Sequence, residues 1–176
     1  MKITQEILEE AHLIATKRLS SGLYNRMGFT DFQRYEKAKI GAIGELCFEQ
    51  FLILNGVNQI NNIRNSTGPD NGDFFINNYS LDLKIAKTDL FPSRYWSFGF
   101  PVDQRPEKYN FLVVGYLDYS YENINFYGII KGDILINRIP TRRNSYSSNG
   151  YFTDNIEIKL YEMDTNIIEF LQKETQ

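Results

Sequence analysis

Apolar residues recur at steps of three and four along the first part of the chain. Seven of them follow this spacing between Ile3 and Leu19, and Gly22 comes soon after. A repeat of this length is typical of an amphipathic helix, and glycine is common just past a helix end. The pattern therefore predicts a first helix over residues 3–20.

A second helix is predicted over residues 35–54. Its apolar positions again follow the helical period, and Asn55-Gly56 marks its end. Gly41, Ala42 and Gly44 crowd its first half. Because glycine destabilises a helix interior by about 1 kcal/mol relative to alanine, these small residues predict that another backbone passes close by.

Beyond the second helix, short apolar runs alternate with turn residues, which is typical of strands. The run at 111–117 is apolar throughout and predicts a buried central strand. Residues 65–72 and 140–150 predict loops, Gly132-Asp133 predicts a turn, and Asp164 is predicted to cap a final helix. Further strands are predicted at residues 57–63, 73–76, 79–85, 96–100, 125–130 and 156–160.

This order of elements predicts an α/β or α+β fold with a mixed central sheet flanked by helices. The 176 residues contain no internal repeat and suffice for one buried core, so we expect a single domain over residues 1–176. No run approaches the roughly 18 consecutive apolar residues of a membrane span, and the first ten residues lack the apolar segment of a signal peptide. We therefore expect a cytoplasmic protein with no membrane partner.

The side-chain inventory excludes several kinds of chemistry. Cys47 and His12 are the only residues of their types, which excludes an intrachain disulfide, a cysteine-cluster zinc site and a histidine-rich metal site. The net charge of -3 does not indicate a nucleic-acid partner, yet a metal-dependent site that concentrates carboxylates is compatible with one. Chemistry must therefore depend on carboxylate, Lys, Arg or Tyr side chains, with any cation held by oxygen ligands.

Residues 73–85 predict a hairpin whose register follows from its two-residue turn. With Asn77 and Asn78 in the turn, Asp73 lies opposite Asp82, and opposed side chains share a face about 5 Å apart. Lys84 shares this face because side chains alternate along a strand. The other face carries Phe74, Ile76, Tyr79, Leu81, Leu83 and Ile85.

Two opposed aspartates repel each other, and a sequence shaped by stability alone avoids that pair. A divalent cation reverses the effect, because two such carboxylates can share Mg²⁺ or Mn²⁺. Lys84 then places an ammonium group where charge builds up on a phosphate, and Glu45 of the second helix is a fourth candidate. The alternative is that the hairpin residues form a solvated face and Glu45 is an exposed helix residue.

These residues resemble the motifs of the PD-(D/E)xK nucleases, which have a restriction-endonuclease-like fold. The resemblance is carried by Gly41-x-x-Gly44-Glu45, Pro69-Asp70, Gly72-Asp73 and Asp82-Leu83-Lys84, and by the order of elements as far as Leu117. It implies a restriction-endonuclease-like core over about 35–136. The first helix (3–20) and a C-terminal strand and helix (152–173) are then additions to this core.

By this resemblance Asp73 and Asp82 bind Mg²⁺, for which Mn²⁺ can substitute. The backbone carbonyl of Leu83 is a further candidate ligand. Asp70 belongs to the literal Pro-Asp pair, whereas the hairpin register favours Asp73. Asp70 is therefore the second choice as metal ligand.

The resemblance also implies a reaction. Glu45 helps at the metal directly or through water, and Lys84 positions the attacking water. The activity implied is Mg²⁺-dependent endonucleolytic hydrolysis of phosphodiester bonds in DNA, expected to be double-stranded, by metal-activated water. Restriction, homing and recombination roles all fit, and a homodimer is expected because cutting both strands favours two active sites.

Basic residues outside the motifs are candidates for contacts with phosphates. They are Lys37, Lys39, Lys87, Arg138, Arg142 and Arg143. The loop at 140–150 is a candidate for contacts with bases, with an ordinary solvated loop as an equal alternative. Trp96 and its neighbours Arg94 and Tyr95 suit stacking on unpaired bases, but a place for Trp96 in the core or a dimer interface is preferred.

Two other functions stay open. A non-catalytic nucleic-acid-binding protein on the same scaffold would keep its function when Asp82 is replaced. A small protein-interaction domain with a chance Asp-x-Lys would show neither affinity for DNA nor an effect of cations on stability.

Overall fold

A computed structural model describes residues 1–22, 29–57, 59–62, 72–145 and 152–175, with the side chains of residues 62, 142–145 and 152 left out. The helices are α1 (Gln5–Ser20), α2 (Asp31–Leu54) and α3 (Ile167–Glu174). The strands are β1 (Ile60–Asn62), β2 (Phe74–Ile76), β3 (Tyr79–Lys87), β4 (Ser97–Pro101), β5 (Phe111–Leu117), β6 (Ile124–Lys131), β7 (Arg142–Ser145) and β8 (Phe152–Lys159).

The two long helices form where the apolar period predicts them. α1 is capped by Thr4, whose hydroxyl accepts a hydrogen bond from the Ile7 N–H. α2 begins at Asp31 rather than at residue 35, because Thr30 and Gln33 form a reciprocal capping box. This box adds one turn to the start of the predicted helix.

Five strands form a mixed central sheet in the order β1-β2-β3-β5-β6. β3 and β5 are parallel, and the other neighbouring pairs are antiparallel. β5 is buried along its whole length between β3 and β6, as its apolar run predicts. The prediction of an α/β fold with a mixed central sheet and flanking helices is confirmed.

Different elements pack on the two faces of the central sheet. Phe111 and Val113 of β5 pack with residues of α2 and α3, while α1 packs on α2. Leu112 and Val114 belong to a second apolar cluster, shared with a three-stranded antiparallel sheet in the order β4-β8-β7. The central sheet therefore lies between a helical layer and a second sheet that the sequence pattern did not predict.

Two local predictions are wrong. Residues 142–145 form β7, paired with β8, although 140–150 is predicted as a loop. The polar sequence of β7 has no apolar alternation, and its pairing with β8 makes it a strand. Asn166 rather than Asp164 caps α3, since the Asn166 side chain accepts from the Glu169 N–H.

Most of the loop predicted at 65–72 lies outside the described residues, except for Gly72. The turn predicted at Gly132-Asp133 is a short 3-10 helix, Gly132–Leu135. Within the described ranges, none of the helices combines the length and apolar character that a bilayer crossing requires.

Candidate functional site

The hairpin of β2 and β3 has the predicted register. Ile76 pairs with Tyr79, and the ladder continues to the pair Phe74 and Leu81. Asn77 and Asn78 occupy the turn with φ of 48° and 72°. Asparagine tolerates this left-handed conformation better than most residues, which explains how the sequence fixes the register.

The ladder ends at the pair Phe74 and Leu81, so the prediction that Asp73 pairs with Asp82 is wrong. The Asp73 N–H donates to the Leu81 carbonyl at 2.9 Å, although Phe74 already pairs with Leu81. Two residues thus oppose one, as in a β-bulge, and such irregularities re-aim side chains. Gly72 allows this approach with φ of 103°, because a Cβ there would lie 2.8 Å from the Leu81 oxygen.

The re-aimed Asp73 carboxylate satisfies the backbone of β3. Its Oδ2 accepts a hydrogen bond of 2.7 Å from the Leu83 N–H. Because the N–H and C=O of one strand residue point to the same side, the Leu83 carbonyl lies on this edge of β3 too. β2 has already ended there, so the edge beside Asp73 carries both carboxylate and carbonyl oxygens.

Asp82 is buried next to Lys84. The Asp82 side chain is 5% exposed, and the Lys84 ammonium nitrogen lies 2.9 Å from Oδ1 and 2.8 Å from Oδ2. Only the contact to Oδ1 has hydrogen-bond geometry, and Oδ2 is buried without a hydrogen-bond donor among the described residues. A solvated hairpin face is therefore the wrong interpretation for Asp82.

α2 places Glu45 in the interior, since its side chain is only 6% exposed. Its Oε2 accepts a hydrogen bond of 2.7 Å from Arg18 of α1. The alternative of an exposed Glu45 is wrong. Arg18 was not among the predicted site residues, and its only signal in the sequence is that of a basic residue in the last turn of α1.

Gly44 explains how α2 approaches β3 at this point. A Cβ on Gly44 would lie 2.3 Å from Ile85 Cγ1 of β3. The close neighbour is thus a side chain, whereas the small residues predicted another backbone. A Cβ on Gly41 would meet Arg18 at an ordinary 3.7 Å, so the predicted close approach is found at Gly44 only.

Electrostatics tie the four predicted residues into one cluster. The pKa of Asp73 is raised well above its usual value, first by burial and then by the negative charges of Asp82 and Glu45. The Lys84 ammonium and the Leu83 N–H act in the opposite direction. We refer to Glu45, Asp73, Asp82 and Lys84 as the carboxylate cluster.

The carboxylate cluster contains oxygen donors of the kind that bind Mg²⁺. Among the described residues, no group of three Asp, Glu, His or Cys side chains is arranged to hold a metal ion. Mg²⁺ does not require one, because it keeps several waters and is bound through one or two carboxylates plus substrate phosphates. Asp73 and Asp82 could serve as two such carboxylates. Asp82 Oδ2 has no hydrogen-bond donor among the residues that the structure describes, and the Leu83 carbonyl lies on the adjacent edge.

The predicted phosphate-binding residues have different surroundings. Lys39 and Lys87 both lie over the ring of Tyr121, and Lys37 lies over Phe29 with its pKa lowered by burial. Arg138 is held by Glu162 at 2.5 Å, which reduces its capacity to bind a phosphate. Asp70 lies outside the described residues, as do the side chains of Arg142 and Arg143.

The remaining candidate residues make packing or hydrogen-bond contacts elsewhere and are not part of the carboxylate cluster. Cys47 is buried, and burial raises the pKa of its thiol to about 11. His12 forms a hydrogen bond with the Tyr35 hydroxyl at 2.7 Å. Trp96 is partly buried and packs at the edge of the apolar cluster shared with the second sheet, which fits the core alternative of its prediction and leaves the dimer interface untested.

Comparisons with known protein families, with curated proteins and with solved structures give no match to this chain.

Proposed function

We propose that the chain is a Mg²⁺-dependent nuclease that hydrolyses phosphodiester bonds in DNA, built on a restriction-endonuclease-like core. One observation carries the proposal. Three carboxylates and a lysine from α2 and from the β2–β3 hairpin meet where the hairpin ladder ends, and within the described part of the chain a buried oxygen of Asp82 has no hydrogen-bond donor.

Such a cluster is costly for the fold alone. Like charges that share a buried region destabilise one another, and each buried carboxylate loses its hydration. Departures of this kind from what stability favours are concentrated at functional sites. The bulge at Gly72-Asp73 supports the same interpretation, because bulges are frequent beside active sites.

The residues of the cluster have separable roles. Asp73, Asp82 and the Leu83 carbonyl would hold the cation, which when bound supplies a Lewis acid and lowers the pKa of coordinated water. Glu45, held by Arg18, orients water at the edge of the site. Lys84 lies where its ammonium donates to the attacking water or to a phosphate oxygen, at the cost of its contact with Asp82.

The substrate and the assembly follow from the resemblance. DNA is proposed because the motif order is that of DNA nucleases. A homodimer is proposed because a cut through both strands favours two copies of the site. Restriction, homing and recombination remain equal biological roles for such an enzyme.

A second candidate, a non-catalytic nucleic-acid-binding protein on the same scaffold, is favoured by a different observation. Asp82 and Glu45 already have cationic partners in Lys84 and Arg18. Ion pairs of this kind can neutralise a former metal site. In that case binding to DNA is independent of Mg²⁺ and survives replacement of Asp82.

A cleavage assay separates the two candidates. Supercoiled plasmid, linear duplex and single-stranded DNA are incubated with the full chain in Mg²⁺ or in EDTA. We expect nicking or linearisation in Mg²⁺ and intact DNA in EDTA. Intact DNA in Mg²⁺ and in Mn²⁺, for all three substrates, would overturn the nuclease proposal.

A further inference from the structure

A second group of side chains, made of lysines and tyrosines, lies at the end of β3 beyond the carboxylate cluster. The ammonium of Lys87 is 3.8 Å from the ring centre of Tyr121, and that of Lys39 is 4.7 Å from the same ring. Neither lysine forms an ion pair with a carboxylate in the described part of the chain. We refer to Lys39, Lys87, Tyr119 and Tyr121 as the lysine–tyrosine patch.

Tyr121 is held firmly in the turn that follows β5. Its backbone has φ of 61°, an unusual conformation for a bulky residue, and its hydroxyl donates to Glu36 at 2.5 Å. Asp118 closes the same turn by accepting from the N–H groups of Glu122 and Asn123. The ring is therefore a fixed support on which the two ammonium groups are placed.

Both signs of charge surround the patch, but only the ammonium groups lie over the ring. The carboxylates of Glu36, Asp118 and Asp89 accept hydrogen bonds from the Tyr121 hydroxyl and from backbone N–H groups, whereas Lys39 and Lys87 both lie over the Tyr121 ring. Lys87 also lies 5.1 Å from the ring of Tyr119, which is 60% exposed. Positive charge beside an accessible aromatic ring is the combination by which proteins bind nucleic-acid strands.

The patch lies within reach of a strand bound at the carboxylate cluster. Lys39 precedes Glu45 by six residues of α2, about 9 Å at the helical rise. Lys87 follows Lys84 by three residues of β3, about 10 Å along the strand, and lies on the opposite face of β3, the side that α2 covers and from which Glu45 comes. At 3.4 Å per nucleotide along a duplex axis, these separations correspond to about three nucleotides.

We propose that the lysine–tyrosine patch binds the phosphodiester backbone of a nucleic-acid strand about three nucleotides from the bond held at the carboxylate cluster. Lys39 and Lys87 contact phosphates, Tyr121 fixes their spacing, and Tyr119 offers a face to an unpaired base. This inference rests on the proposed function for its substrate. Its binding step needs neither the metal nor cleavage.

The test measures binding without cleavage. Fluorescence anisotropy in EDTA follows labelled single-stranded and duplex DNA of the same sequence, with every protein carrying Asp82→Asn. The patch variant combines Lys39→Ala with Lys87→Ala. The matched control combines Lys159→Ala with Lys173→Ala, which removes two exposed lysines from β8 and α3. Both variants thus lose the same net charge.

We expect the patch variant to bind roughly 10- to 30-fold more weakly than its parent at 0.1 M salt. The slope of log affinity against log salt should fall by about 1.4 for single-stranded DNA, because two phosphate contacts are lost. Tyr119→Ala should weaken binding of single-stranded DNA by about fivefold or more and change duplex binding less. The control pair should change affinity less than threefold.

Equal affinities of the patch variant and the control pair would overturn the inference, as would no binding of either DNA. If the wild type cleaves DNA in Mg²⁺ but the patch variant and the control pair bind DNA equally well, the proposed function is supported and the role of the patch is contradicted. A selective loss of binding in the patch variant, in a protein that never cleaves DNA, would support the patch and remove the nuclease proposal.

Discussion

The Asp73 carboxyl takes the place of a neighbouring strand as a hydrogen-bond acceptor for β3. It accepts the Leu83 N–H at 2.7 Å where β2 has already ended, so the backbone of β3 stays satisfied. The same position exposes Asp73 to the charges of Asp82 and Glu45. The Asp73 side chain thus satisfies the backbone of β3 by a hydrogen bond, while its own negative charge is destabilised by the neighbouring carboxylates.

The raised pKa of Asp73 has a definite consequence for stability. A group with a higher pKa in the folded chain binds its proton more tightly there, so stability falls as pH rises from about 4 through the raised value. Asp73→Asn keeps an acceptor for Leu83 and removes the charge. Measured by urea unfolding, the stability of Asp73→Asn relative to wild type should increase across this window, by up to about 1.4 kcal/mol per pH unit.

Asp118→Asn is the control with the opposite sign. Burial acts to raise the pKa of Asp118, but hydrogen bonds from Asn123, Glu122 and Ser120 outweigh it and lower the pKa. Wild type should therefore gain stability over Asp118→Asn as pH rises towards 4. A stability difference for Asp73→Asn that stays flat from pH 4 to 8 would contradict the buried, charge-coupled position of Asp73.

Arg18 gives a second prediction at the scale of residues. Removing one partner of a fully buried ion pair costs about 3–5 kcal/mol, because the remaining charge loses its compensation. Glu45 is buried and Arg18 is partly exposed, so we expect the lower end of this range. Arg18→Ala should therefore lower the free energy of unfolding by about 3 kcal/mol, because Glu45 is 6% exposed. The double variant Arg18→Ala with Glu45→Gln should recover part of this loss, since the amide carries no charge.

Urea denaturation of wild type, Arg18→Ala, Glu45→Gln and the double variant forms a double-mutant cycle. It measures the coupling free energy between Arg18 and Glu45. A double variant no more stable than Arg18→Ala alone would show that Arg18 acts through packing rather than through the charge of Glu45.

The sequence was sufficient to find the four members of the carboxylate cluster, but not their contacts. The alternation of side chains along a strand placed Asp82 and Lys84 on one face, and β3 has them there. The position of Asp73 depends on the bulge that Gly72 permits with its positive φ, and counting residues from the two-residue turn cannot show a bulge. Arg18 was missed because its partner Glu45 lies 27 residues away on another helix.

At the scale of elements, the contact between α2 and β3 positions Glu45. Gly44 lets the helix approach Ile85, and the next residue of α2 enters the interior. Gly41 lies three residues earlier on the same helix and has ordinary space around it. The two glycines therefore form a matched pair for an experiment.

Gly44→Ala should destabilise the protein by about 1–3 kcal/mol, because the new Cβ would lie 2.3 Å from Ile85 Cγ1. Gly41→Ala should stabilise it by up to about 1 kcal/mol through helix propensity, since the nearest atom is at 3.7 Å. Thermal unfolding of both variants gives the comparison. Equal effects of the two substitutions would contradict the close packing of α2 on β3.

The elements that sequence analysis predicted well are those with a strong local pattern. The helical period gave α1 and α2, and the apolar run gave β5. The strand β7 was missed because its residues are polar and its pairing with β8 supplies the order. Local pattern cannot show such a strand, since its partner determines it.

At the scale of the whole molecule, the carboxylate cluster joins the two sides of the central sheet. Asp82 and Lys84 face the side of the second sheet, in register with Leu112 and Val114. Glu45 comes from α2 in the helical layer. Asp73 lies at the open end of the β2–β3 ladder, where the negative charges of both carboxylates raise its pKa. The three-stranded sheet was not predicted because β7 has no apolar alternation and because β4 pairs with β8 across a long separation in sequence.

The most direct measurement is DNA cleavage in Mg²⁺ by wild type, Asp82→Asn and Lys84→Ala, with the exposed Asp133→Asn as control. Loss of a ligand that supports a Lewis acid removes several kcal/mol of transition-state stabilisation, so Asp82→Asn should cleave about 10³-fold more slowly or worse. Lys84→Ala should cleave about 10²- to 10³-fold more slowly, and Asp133→Asn at the wild-type rate. Wild-type rates in Asp82→Asn and Lys84→Ala, confirmed as folded by circular dichroism, would contradict a catalytic carboxylate cluster.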